Sequence, residues 1–149
     1  MDNMLLESPI HAVDLVRALA GSDVIEVHSS VRRACSPYKD VHGALILFAN
    51  GCIAHFIANY TTDARLERYE IHGREISAYL EGVSQGVVVC DGQRHTLSGA
   101  GSGGTREQDR FFLDCVRADR PIQLPAANLD EAVKTMELAE AILAGLREG

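Results

Sequence analysis

The sequence predicts an α+β fold: a mainly antiparallel, open-faced sheet of about seven strands, with three helices on one face, one N-terminal and two C-terminal. Three observations predict it. Helical periodicity is confined to the two ends of the 149-residue chain. Between them, short strand-like segments are punctuated by Asn50-Gly51, Gly73, Gly82, Gly86 and Asp91-Gly92, the residues of tight turns. Nothing alternates as strand, helix, strand, which disfavours a doubly wound parallel sheet.

The first helix is predicted over residues 8–21, with Ser8 as N-cap, Pro9 at the first helical position and Gly21 just past the end. Its apolar stripe is Ile10, Val13, Val16 and Ala20, widened by Ala12, Leu15 and Leu19. Val24 to Val31 reads as a strand, followed by a charged loop containing Pro37. His42 to Ala49 and Cys52 to Tyr60 flank Asn50-Gly51, the strongest hairpin signal in the chain. Leu66–His72, Ile76–Glu81, Val87–Asp91 and Arg94–Leu97 are the remaining strands.

After a glycine-rich break at residues 99–104, Thr105 and Gln108 have capping-box spacing and open a helix with the stripe Gln108, Phe111, Phe112, Cys115 and Val116. Asn128, with Glu131 three residues on, opens the last helix, which runs to about Leu146. Its stripe reads Leu129, Ala132, Val133, Met136, Ala139, Leu143 and Leu146.

The central hairpin is apolar on both faces. Gly43, Leu45, Leu47 and Ala49 alternate with Ala44, Ile46 and Phe48, and the return strand sets Phe56, Ala58 and Tyr60 against Ile53, His55 and Ile57. Helices can cover one face only. The other calls for a partner surface, so the chain is expected to form a homo-oligomer, with the strands around Leu45, Leu47, Phe56 and Ala58 central.

Composition narrows the partners. A net charge of −7 argues against nucleic acid and anionic membranes. No apolar run is long enough to span a bilayer, and the N-terminus does not read as a signal peptide, so a cytoplasmic location is expected. Cys35, Cys52, Cys90 and Cys115 lack zinc-site spacing and read as reduced thiols, mostly small buried hydrophobes. No metal site is expected.

Two constellations could carry chemistry. Gly99, Gly101 and Gly104 spell G-x-G-x-x-G, but a dinucleotide cradle needs a buried parallel strand before it and a βαβ unit around it. The preceding RHTLS is polar, and a flexible linker is the better reading. The second is Glu7, His11 and Asp14 at the start of the first helix. A carboxylate beside an imidazole orients it for proton transfer. The same acids also complement the helix dipole, which would leave His11 as a partly buried filler. His28, His42, His55, His72 and His95 lie on strands without ligand spacing and read as structural or surface residues. Tyr60 and Tyr69 could line a pocket, with core packing the default.

At these residues the chain resembles the C-terminal domain of the Gfo/Idh/MocA oxidoreductases, the glucose–fructose oxidoreductase and inositol dehydrogenase family. Four stretches carry the resemblance: MLLESPIHAVDLVRALAG, HGALILFANGCIAHFIANY, LERYEIHGREISAYL, and the segment from TREQDRFF to MELAEAI. They cover nearly the whole chain, and their order and spacing are more specific than any one of them.

The resemblance implies that residues 1–149 are a single substrate-binding and oligomerisation domain, without the N-terminal Rossmann domain that binds NAD or NADP in the full-length enzyme. It places the family's catalytic histidine on His11 and its acidic partner on Glu7, where the family usually has Asp. Asp14 would contact His11 or a substrate hydroxyl. The implied substrate is a sugar, cyclitol or related polyol. The isolated chain is expected neither to bind the cofactor nor to transfer hydride. The competing expectation is a non-catalytic dimeric binding or scaffold module with the same fold.

Overall fold

Hairpin chemistry organises the middle of the chain. The structure, a computed structural model, describes residues 4–82, 84–99, 104–124 and 126–146. Strands β1 (Val24–Arg32), β2 (Val41–Phe48) and β3 (Ile53–Asn59) form an antiparallel sheet in that order. Strands β4 (Arg68–Gly73), β5 (Ile76–Glu81), β6 (Gln85–Cys90) and β7 (Gln93–Ser98) form a second antiparallel sheet, also in sequence order. The helices are α1 (Ile10–Ala20), α2 (Thr105–Arg117) and α3 (Leu129–Leu143). Among the described residues the fold is α+β with seven antiparallel strands and three α-helices, as the sequence predicts. The strands are shared between two units, Met1–Thr62 with Ile122–Gly149, and Asp63–Pro121.

In the first unit, α3 lies against β1 and β2, and α1 packs on α3. The face they cover carries Val27 and Val31 of β1, His42, Ala44, Ile46 and Phe48 of β2, and Ala54, Phe56 and Ala58 of β3. Leu5, Val13, Leu138, Ala139 and Ile142 complete this core. Each fully buried large aliphatic, such as Ile46 or Ile142, contributes about 1.5–3 kcal/mol of transfer free energy.

The opposite face leaves Ile53 61% and Ile57 80% exposed. The structure therefore decides which apolar face of the hairpin is open. It is the Leu45, Leu47 and Ile57 face, whereas Phe56 and Ala58 point into the helix-covered core.

The helix ends differ in part from the sequence reading. Gly21 closes α1 in the left-handed region (φ 60°), and its N–H reaches the Arg17 carbonyl. At the start of α1, Pro9 already has helical angles and no side chain caps the helix, so Ser8 contributes its carbonyl to the His11 N–H instead. The Thr105–Gln108 capping box does not form. Thr105 lies inside α2, and the Gln108 N–H bonds the Gly104 carbonyl. Asn128 does cap α3, accepting from the Glu131 N–H at 2.9 Å.

The two hairpins marked by Asn50-Gly51 and Asp91-Gly92 use different turns. Asp91 and Gly92 both have positive φ, the type I′ pattern whose twist suits a two-residue hairpin. At Asn50-Gly51 only Gly51 is positive. There the Asn50 side chain holds the turn, accepting from the Cys52 N–H and donating to the Ala20 carbonyl at the end of α1.

The stripe of α3 is out of phase with the prediction, and that of α2 holds only at Phe111 and Cys115. On α3 the buried residues are Thr135, Leu138, Ala139 and Ile142, while Leu129, Val133 and Met136 face outward. On α2 only Cys115 is buried, and Phe112 and Val116 are exposed. Cys115 is likewise the one buried thiol; Cys90 is half-buried, and Cys35 and Cys52 are exposed. No helix among the described residues is long and apolar enough to cross a membrane.

The segment after α3 covers the free edge of β1. The Val31 N–H bonds the Gly145 carbonyl at 3.0 Å, and Leu146 bridges Val31 in parallel. A Cβ on Gly145 would collide with the Ser29 backbone. Gly145→Ala is accordingly expected to cost about 1–3 kcal/mol, read from a urea melt. A wild-type midpoint would show that the segment moves aside freely.

Candidate functional site

The start of α1 presents His11 to solvent, with Glu7 exposed just before the helix. Among the described residues, neither side chain makes a hydrogen bond to another. The structure therefore gives access to the His11 imidazole without joining it to the Glu7 carboxylate.

Asp14 is half-buried and turned toward α3, where it accepts from the Thr135 hydroxyl at 2.6 Å. Thr135 Oγ1 in turn accepts from Arg17 at 2.9 Å. The same guanidinium, only 7% exposed, donates to the Glu131 carboxylate at 2.9 Å and the Glu131 carbonyl at 3.0 Å. Asp14, Thr135, Arg17 and Glu131 thus form one polar seam that fixes α1, and with it His11, against α3. The sequence reading found Asp14 but missed Arg17 and Thr135. The available signal was their spacing: Arg17 lies one turn beyond Val13, and Thr135 one turn before Ala139, both on core faces.

A second feature is His42. Expected as a structural or surface residue, it is structural and fully buried, because it shares the inward face of β2 with Ala44, Ile46 and Phe48. Neither ring nitrogen has a hydrogen-bond partner among the described residues. Burial pulls its pKa below the ordinary value, against smaller upward pulls from the Ala58 backbone and the Asp40 charge. Asp40 is itself buried and ties down the loop before β2, accepting from the N–H groups of Ala34 (2.7 Å) and Cys35 (2.9 Å) and from the Ser36 hydroxyl (3.1 Å). The two backbone bonds are the main cause that brings its pKa down to about 2.

Both groups bind protons more weakly in the folded chain, so both contribute stability that is lost on acidification. The His42 contribution is complete above about pH 6.5 and declines below it; that of Asp40 declines from about pH 4 toward 2. His42→Phe is expected to remove the upper limb of the stability–pH curve and leave the lower one. Parallel curves for variant and wild type between pH 7 and 5 would contradict this.

The other histidines, His28, His55, His72 and His95, are exposed. Tyr69 donates to Glu67 at 2.9 Å, and its pKa is pushed up to about 12, mainly by burial, so it acts as a hydrogen-bond donor. Among the described residues no three His, Cys, Asp or Glu side chains come together as a metal site. The strand before the glycine-rich segment, β7, is exposed along its length and antiparallel to β6, and among the described residues no βαβ unit surrounds it. Gly101 lies outside the described residues. The described residues therefore do not build a cradle for a dinucleotide.

A family model described as the GFO/IDH/MocA C-terminal domain matches residues 2–79, just over half of the chain and the part that holds α1 and the first sheet. The chain belongs to the GFO/IDH/MocA family.

Solved structures agree with this family fold. A UDP-N-acetylglucosamine 3-dehydrogenase from Acidithiobacillus ferrooxidans superposes with TM-score 0.78 at 18% identity, over 92% of this chain and 45% of that one. An aldose-aldose oxidoreductase from Caulobacter crescentus, complexed with glycerol, gives 0.79 at 17% identity over 95% and 44%. A biliverdin reductase from Synechocystis sp., solved with biliverdin and NADP+, gives 0.72 at 17% over 95% and 46%. The chain spans less than half the length of each. At these identities the likeness shows the fold alone. Curated proteins give no match.

Proposed function

We propose that the chain is the substrate-binding and oligomerisation half of an NAD(P)-dependent oxidoreductase acting on a sugar, cyclitol or related hydroxyl compound. One observation carries this reading: the family match spans the stretch in which His11 stands exposed at the start of α1. The dehydrogenase and oxidoreductase titles of the structural neighbours support the reaction class, and the glycerol complex supports a polyol substrate. NAD or NADP belongs on a partnering nucleotide-binding Rossmann domain, since the described residues offer no cradle, and there it supplies the hydride chemistry.

This chain's part is the proton. His11 accepts it from the substrate hydroxyl whose carbon is oxidised, and returns it in the reverse direction. Glu7 orients the imidazole once substrate draws the two together, because catalytic hydrogen bonds often tighten only in the complex. Asp14 holds α1 in register through Thr135. A cytoplasmic enzyme that self-associates through the open Leu45 face completes the reading.

The test is hydride transfer by an enzyme that pairs this chain with a nucleotide-binding half. Turnover that depends on His11 supports the proposal, and full turnover without it ends the catalytic assignment. A non-catalytic dimeric module is the second reading, favoured by the lack, among the described residues, of any carboxylate bonded to His11.

A further inference from the structure

Asn50 is the hub of a clasp between the β2–β3 turn and the end of α1. Its backbone N–H donates to the Ser22 hydroxyl at 3.2 Å, and its side-chain Nδ2 donates to the Ala20 carbonyl at 2.9 Å. The neighbouring Ala49 N–H reaches the Asp23 carbonyl at 2.9 Å. Within the turn, Asn50 Oδ1 accepts from the Cys52 N–H at 3.0 Å, and the Gly51 N–H donates to the Phe48 carbonyl at 2.9 Å. The Asn50 carboxamide is therefore held at both ends, by α1 through its nitrogen and by the turn through its oxygen.

The residue that follows makes this amide reactive. Gly51 has no side chain to shield its backbone nitrogen, and a Cβ built there would meet nothing within 4 Å. Asn50 and Gly51 are both exposed, so solvent base and water reach them. Asn59 and Asn128 are followed by Tyr60 and Leu129, whose side chains crowd the same approach.

We propose that Asn50-Gly51 is a modification site at which the chain converts its own asparagine, guarded by the clasp and irreversible once the clasp has opened. The Gly51 nitrogen loses its proton to solvent base and attacks Asn50 Cγ. A bond forms between them, the Cγ–Nδ2 bond breaks, and Nδ2 leaves as ammonia after taking a proton from water. Water then adds to one carbonyl of the five-membered imide and opens it, leaving aspartate or isoaspartate. No oxidant or reductant takes part.

The fold opposes the first step and is loosened by the last. In the closed clasp the Gly51 N–H is held by Phe48 and the carboxamide is tied on both sides, so the nitrogen cannot turn onto Cγ. Reaction waits for local opening. The product exchanges a donor for an acceptor. A carboxylate oxygen then faces the Ala20 carbonyl, and a negative charge sits at the C-terminal end of the α1 dipole, on a turn that already carries Asp23. The clasp does not re-close, and a local chemical change reaches the helix whose other end carries His11.

The experiment follows the Asn50 peptide by mass spectrometry while the 149-residue chain is incubated in mildly alkaline buffer, folded and in urea. Conversion is expected to be at least about tenfold slower in the folded chain, because the opened clasp is a minor state. Ser22→Ala removes one bond of the clasp and should speed conversion of the folded chain by roughly threefold to tenfold, with no change in urea. Asn50→Asp reproduces one product and should lower the melting temperature by several degrees. Asn50 that survives in urea as long as Asn59 and Asn128 overturns the site. Equal rates in the folded and unfolded chain overturn the guard, and an unchanged rate in folded Ser22→Ala overturns the clasp as that guard. A wild-type melting temperature for Asn50→Asp overturns the release of α1. Should Ser22→Ala fail to fold, the wild-type rates and the Asn50→Asp melt still decide.

Discussion

Turnover is expected to fall about 10²–10⁴-fold when His11 is changed to Asn in an enzyme that pairs this chain with a nucleotide-binding half, the usual contribution of a positioned general base. Asparagine keeps the approximate size and some hydrogen bonding but cannot take the hydroxyl proton. Cofactor affinity should change little, because the described residues do not build its site. Glu7→Gln should cost less, since it alters orientation and charge while leaving the base in place. His95→Asn on exposed β7 is the control and should be near neutral. Single-turnover hydride transfer and melting temperature, measured on all three variants, separate this from a packing role. A packing role would lower the melting temperature of His11→Asn and leave its turnover near normal. The exposure of His11 argues against that outcome.

Arg17→Ala should be among the most destabilising single substitutions in the chain, at about 3 kcal/mol. It removes three hydrogen bonds at once and strands the buried Thr135 hydroxyl as a donor to Asp14 with no donor of its own to accept from. The Glu131 side chain is 37% exposed and can rehydrate, which holds the loss toward the lower end for a broken ion pair. Arg17→Met keeps the aliphatic stem in its packing and isolates the lost polar contacts. Asp14→Asn still offers an oxygen to Thr135 and should be close to neutral for stability. Urea denaturation of the three variants checks the order. A loss under about 1 kcal/mol for Arg17→Ala would show that the seam orients α1 without stabilising it.

Local rules carried the strands well. Asp91-Gly92 and the Asn50-Gly51 segment mark hairpins through chemistry contained in a few residues, and the antiparallel class follows from them. Other features depend on partners distant in sequence. The division into three strands and four turns on the connection from Tyr60 to Glu67, where no residue pattern states whether β3 and β4 will pair. The phase of α3 was misread because Leu129, Val133 and Met136 outrank Thr135 in hydrophobicity, yet Thr135 is buried because Asp14 and Arg17, more than a hundred residues away, satisfy its hydroxyl. For His42 the sequence leaves a structural and a surface role open, because a titratable side chain suits either, and the alternation with Ala44, Ile46 and Phe48 assigns it to the core. At the candidate site, the position of His11 at a helix start was legible from Pro9 and the apolar stripe. The destination of Asp14 was not, since it depends on which helix packs against α1.

The first unit is discontinuous in sequence, and this has a consequence for the chain as it leaves the ribosome. Its three strands and α1 are complete by Thr62, but the helix that covers their apolar face begins only at Leu129, and the segment that seals the edge of β1 follows it. Roughly 85 further residues must be polymerised before that cover exists, some 4–17 s at ordinary elongation rates. The second unit, Asp63–Pro121, is continuous and can close during that interval. Throughout it, Ile46, Phe48 and Phe56 have no roof, and β1 shows an unpaired edge. The newly made N-terminal sheet is therefore the part of the molecule most in need of a holding chaperone, and a ribosome pause placed before residue 129 would lengthen its exposure most.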